Sequence, residues 1–136
     1  MSDNKLDQAV LQLLRLTHED KLTWRSKRPP SYWENTDEVY PMYFEAHHEG
    51  RKLALFQKRS RASENMKMLA SIMDQPARDW VTSINLALLG GNEEVLFEFP
   101  RSTQVSDLFQ VVRYKEANVD EFVEALLNSK ETGEKK

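Results

Sequence analysis

The sequence predicts an α+β fold, with an antiparallel sheet of about five strands and an N-terminal helix and two C-terminal helices packed on one face. Three observations lead there. Trp80 to Pro100 alternates apolar and polar residues on both sides of Gly90-Gly91-Asn92, the pattern of a hairpin with one buried face. Val39 to Phe56 repeats that pattern around His48-Glu49-Gly50-Arg51. The segments at both ends of the chain instead carry apolar residues at helical spacing, so the helices are segregated from the strands.

Taken in order, Leu6, Ala9, Val10, Leu13, Leu14 and Thr17 predict a helix over about residues 4–17, capped by Ser2 or Asp3 and widened by Leu11 and Leu16. A helix of that length is not stable alone and has to bury its stripe. Lys21 to Ser26 reads as a short strand with Leu22 and Trp24 on one face. Pro29-Pro30 then removes two amide donors and makes residues 27–37 a loop. Tyr32 and Trp33 in that loop have to fold back onto the core or meet a partner.

In the first hairpin, Tyr40, Met42, Phe44 and Ala46 alternate with Val39, Tyr43 and Glu45, and Gly50 suits a turn position of positive φ. Pro41 weakens the first strand or places its start at a sheet edge. Ser60 to Asp79 is a short helix capped by Ser63 and ended before Pro76, or an ordered insertion; strand and turn also fit it. In the second hairpin, Trp80, Thr82, Ile84, Leu86 and Leu88 share one face, as do Val95, Phe97 and Phe99. Ser102 or Thr103 caps a helix whose stripe is Val105, Leu108, Phe109 and Val112. Asn118 breaks that pattern, and Asp120 recaps a second helix carrying Phe122, Val123, Leu126 and Leu127.

With 136 residues, 40% hydrophobic and 10% aromatic, residues 1–129 are expected to form one domain with its own core. The tail, 130–136, is charged, lacks an apolar anchor and is expected to be disordered. The absence of cysteine excludes disulfides, thiolate metal sites and a cysteine nucleophile. No run approaches the roughly 18 apolar residues of a membrane span, and the polar start is not followed by an unbroken apolar stretch. The expected address is cytoplasmic, with no membrane association.

Little in the sequence marks catalysis. There is no Gly-x-Ser-x-Gly elbow, and Glu93-Glu94 behind Gly90-Gly91 would repel phosphate. Glu45 and His47 share a strand face while His48 points away, which leaves two ligands where a catalytic zinc uses three. Asp37, Glu45 and Lys52 could compose a nuclease-like triplet only by chance proximity. No cofactor, no metal and no enzymatic activity are expected.

Charge is uneven although the net is −3. Residues 21–61 hold nine Lys/Arg against five Asp/Glu, which leaves a net of seven negative charges elsewhere. Arg25, Lys27, Arg28, Lys58, Arg59 and Arg61 lie at strand ends, with Trp33 and Tyr32 as possible stacking partners. Basic residues interleaved with aromatics are how single strands are held. Against this, a pI near 5.7 is far from that of strongly basic modules.

Leu22-Thr23-Trp24, Gly50-Arg51-Lys52-Leu53, and Phe97-Glu98-Phe99-Pro100 with Ser102 together resemble small bacterial α+β domains of uncharacterised function. The resemblance spans most of the chain except Ser60 to Asp79. It implies a fold, and no activity or functional residue comes with it. The expected function is therefore a non-enzymatic protein-interaction module, and a homodimer if the helix stripes exceed what the sheet covers. The alternative is a nucleic-acid-associated protein using the basic sheet edge.

Overall fold

The computed structural model describes residues 3–76 and 79–132. Its elements are α1 (Asp3–His18), β1 (Arg25–Ser26), a 3-10 turn (Ser31–Trp33), β2 (Glu38–His48), β3 (Arg51–Arg61), α2 (Glu64–Ile72), β4 (Trp80–Leu89), β5 (Val95–Glu98), α3 (Thr103–Glu116) and α4 (Val119–Thr132). The five strands form one antiparallel sheet in the order β1-β2-β3-β4-β5. The α+β class and the antiparallel sheet of five strands are as the sequence predicts. No helix among the described residues is long and apolar enough to cross a membrane.

Local chemistry explains the boundaries. α1 ends in a Schellman turn: Asp20 takes φ 62°, its N–H donates to the Thr17 carbonyl, and the Lys21 N–H donates to that of Leu16. The Ser2 cap falls outside the described residues. The β2–β3 turn has positive φ at both Glu49 and Gly50, matching the right-handed strand twist. Ser63 and Ser102 cap α2 and α3 by accepting the N–H groups of Met66 and Val105. Residues 60–79 thus contain a helix. α2 ends with Asp74 at φ 57°, two residues before Pro76. Asn118 at φ 52° separates α3 from α4. Asp120 lies inside the first turn of α4 and does not cap it. α4 runs to Thr132, so 130–132 continue the helix; the rest of the expected tail lies outside the described residues.

The core forms where α1 and α3 meet the sheet. Val10 and Leu13 from α1, and Val105, Leu108, Phe109 and Val112 from α3, cluster with Phe44, Ala46, Leu53, Leu55 and Leu86. Leu22 and Trp24 join them from the connection, since β1 proper is only two residues long. Thr17 is buried among them; its hydroxyl donates to the Leu13 carbonyl at 2.8 Å and accepts from the Trp24 indole at 3.0 Å.

Three sequence expectations change. The second strand of the 80–100 hairpin does not bury a face: Val95, Leu96 and Phe97 are exposed, and only Phe99 packs on the core. β5 pairs with just three β4 residues, too short a strand for the helices to reach over. A β-bulge on β2 between Val39 and Met42 reverses the parity of Tyr40. That residue packs with Trp33 and Phe56 on the face opposite Phe44. Finally, α4 does not press its stripe onto the core: Phe122, Val123, Leu126 and Leu127 are all exposed.

Candidate functional site

The sheet face away from α1 and α3 carries its own small core. Trp33, Tyr43, Ala54, Phe56, Ala87 and Leu89 are buried there with Tyr40 against them. Trp33 meets Tyr40, Tyr43 and Phe56 at 5.2–5.6 Å between ring centroids, tilted or edge-on. Trp33 is buried in this cluster and offers no exposed stacking platform. Pro29-Pro30 directs the chain so that the 3-10 turn lays this side chain inward. Tyr32 is the exposed aromatic of the pair, and its hydroxyl donates to the Glu93 carbonyl at 2.7 Å.

Beside that cluster lies a buried carboxylate that sequence alternation placed on an ordinary polar face. Glu45 is 4% exposed. It accepts from the Tyr43 hydroxyl at 2.7 Å and from the Lys27 ammonium at 3.0 Å. Burial pushes its carboxyl up, but the hydrogen bonds from Tyr43 and Lys27 outweigh burial, so the net shift is downward. Burial and the same carboxylate raise the Tyr43 hydroxyl well above the tyrosine range. Tyr40 is pushed up to about 12, chiefly by burial and then by Glu38. Asn85, also buried, accepts from Ser83 and donates to Glu98. These groups form satisfied polar networks, with no buried side-chain N or O lacking a partner among the described residues.

β2 runs between the two basic strand ends. Arg25 lies opposite Glu45 on one side of β2, whereas Arg59 lies opposite Val39 on the other. The six residue steps of β2 from Val39 to Glu45 put about 20 Å along the strand between Arg25 and Arg59. Three of the predicted cations also face carboxylates: Lys27 meets Glu45 at 3.0 Å, Lys58 meets Glu38 at 3.4 Å and Arg61 meets Asp37 at 3.2 Å. Arg59 and Arg61 lie over the Trp80 ring, 5.6 and 4.7 Å from its centroid. Arg25 and Arg28 are exposed. Asp37 and Glu45 sit toward opposite ends of β2, so the triplet with Lys52 does not assemble. Among the described residues no group of three His, Cys, Asp or Glu is placed to hold a metal ion.

What the fold leaves uncovered is apolar. On α2, Met66, Met68, Leu69 and Ile72 are exposed, as is Met73 at its C-cap. None of the nine α2 residues is buried. On α4 the exposed set is Phe122, Val123, Leu126 and Leu127. Helical spacing marks the α4 stripe in the sequence, but not which surface covers it. β4 is also longer than its pairing with β5, which takes in only Ala87 to Leu89. No family model, no curated protein and no solved structure matches this chain.

Proposed function

We propose that this chain is a single α+β protein-interaction module, acting by binding and not by catalysis, with a second copy of itself as the first partner to test. The observation that carries the reading is the apolar surface of α2 and α4, with Ile72 74% and Phe122 65% exposed. A helix as short as α2 has little stability of its own in water and gains it from packing. Adjacent apolar side chains left in solvent mark interaction surfaces. A cytoplasmic address and the homodimer expected from the stripes belong to this same reading. The polyanion alternative has less support, because Lys27, Lys58 and Arg61 spend charge on Glu45, Glu38 and Asp37.

The test is mass by light scattering across micromolar concentrations, with Leu69→Glu/Ile72→Glu and Phe122→Glu/Leu126→Glu as variants. A dimer in the native chain, broken by at least one pair of charges with secondary structure retained, supports the proposal. A monomer throughout overturns the homodimer. If that monomer also fails to bind a dye for exposed apolar surface, the basis of the reading fails with it.

A further inference from the structure

The first half of β4 is an open sheet edge. β5 pairs with Ala87 to Leu89, and the Phe99 N–H donates to the Leu86 carbonyl at 2.8 Å. The chain then turns off through Pro100 to the Ser102 cap of α3. Among the described residues, no strand pairs with β4 on that side before Leu86. The register with β3 is unbroken from Trp80 opposite Arg61 to Leu89 opposite Lys52, so N–H and C=O directions alternate evenly along β4. Leu86 turns its carbonyl to the β5 side, whereas the Asp79 carbonyl accepts from Ala62, just past β3, at 2.7 Å. Trp80, Thr82 and Ile84 therefore aim N–H and C=O at the open edge, while Val81, Ser83 and Asn85 bond theirs to β3.

Natural proteins blunt such edges with a charged residue, a proline or a bulge. β4 carries no charged residue and no proline, and its ladder with β3 has no bulge. An uncharged strand meets its own copy without repulsion, and this one is self-complementary. In an antiparallel pair about a two-fold axis at Thr82, Trp80 faces Ile84 of the second copy, Val81 faces Ser83, and Thr82 faces its own counterpart. Aromatic with β-branched and threonine with threonine are favourable cross-strand pairs. The same register pairs every outward N–H and C=O of Trp80, Thr82 and Ile84. Arg59 and Arg61 lie one strand further in, over the Trp80 ring. The Arg59 backbones of two copies would be about 14 Å apart, beyond the ~8 Å reach of charge in physiological salt.

We propose that a second copy of this chain docks on the β4 edge, adding its own residues 80–84 as an antiparallel strand about a two-fold axis at Thr82, so that two sheets join into one. The α2 stripe adjoins this edge, because Lys67 meets Asp79 at 3.4 Å and holds α2 at the Trp80 end. It supplies the apolar area that backbone pairing lacks. The proposal rests on the interaction reading and gives its second copy a position.

The experiment is light scattering and amide hydrogen exchange on the full chain across micromolar concentrations. The expected result is a dimer whose Trp80, Thr82 and Ile84 amides are protected and lose that protection on dilution. Those of Val81 and Ser83 stay protected through β3 at every concentration. Thr82 is exposed, so Thr82→Lys and Thr82→Glu each leave the core alone. Each sets like charges across the axis and raises the dimer Kd by about tenfold or more. Their equimolar mixture restores the dimer, which a folding defect would not allow. A dimer indifferent to both substitutions overturns the β4 edge while the homodimer itself stands. So does a mixture that stays monomeric, or a dimer in which the Trp80, Thr82 and Ile84 amides exchange freely. A native chain that is monomeric throughout overturns both.

Discussion

α3 and α4 are each fourteen residues long, are joined by just Ala117 and Asn118, and carry comparable apolar stripes. Their fates differ. In α3, Val105, Leu108, Phe109 and Val112 are buried; in α4, Phe122, Val123, Leu126 and Leu127 are exposed. Helical spacing says that a face should be covered but not by which surface. α3 starts from its Ser102 cap, close behind β5, and falls across Leu53, Leu55 and Leu86 beside α1. By the time α4 begins, that ground is taken.

The largest effect should separate the two helices outright. Phe109 is 1% exposed and meets Phe44 at 5.9 Å between ring centroids, so Phe109→Ala should cost about 3–5 kcal/mol. Phe122→Ala, measured in the same dilute urea titrations, should cost less than about 0.5 kcal/mol. A loss near that of Phe109→Ala would mean that α4 is covered within the chain, and the contrast would collapse. If Phe122→Ala matters only at high protein concentration, the cover is a second copy.

A smaller effect tests whether burial on the other sheet face has the same character. There a carboxylate, Glu45, lies beside Tyr43 and Lys27. Glu45→Ala should cost about 2 kcal/mol, because Lys27 is half exposed and can rehydrate while the Tyr43 hydroxyl loses its acceptor. The folded-state carboxyl is held below its ordinary value of 4.5. A depressed value adds stability that is present above the unfolded-state pKa and is lost as pH falls through the folded one. Urea midpoints between pH 6 and 3 should therefore fall more steeply for the native chain than for Glu45→Gln below the ordinary carboxyl range. Parallel slopes would show that the pair contributes nothing.

Features set by near neighbours were the readable ones. The Gly50 turn and the Ser63 and Ser102 caps each depend on a few residues, and each formed as the residues suggest; of the β4 alternation, Ile84, Leu86 and Leu88 reach the core under the helices, while Asn85, Ala87 and Leu89 are buried as well. Features decided by distant partners were not. Tyr40 has the spacing of Met42 and Phe44, yet one bulge opposite β3 turns it to the Trp33 face. Glu45 has the pattern of a solvent residue because its cation, Lys27, lies eighteen positions away. The candidate basic site is divided for a similar reason: β2 lies between its two halves, and the acids that meet Lys58 and Arg61 are Glu38 and Asp37 at the start of that strand, across from Ser60.

The smallest global effect belongs to the junction. Asn118 takes φ 52°, where asparagine is tolerated and a β-branched residue is strained by about 1 kcal/mol or more. Because α4 contributes little buried surface, Asn118→Val should leave the global urea midpoint almost unchanged. The strain should appear locally, as faster amide exchange along α4, while α3 keeps its protection through the core packing of Leu108, Phe109 and Val112. Asn118→Gly, which accepts the same φ without a Cβ, should show no such loss. If Asn118→Val speeds exchange equally in both helices, they unfold as one unit. Then the sheet would not be holding α3 independently of α4, and the difference in their exposure would not be a difference in what stabilises them.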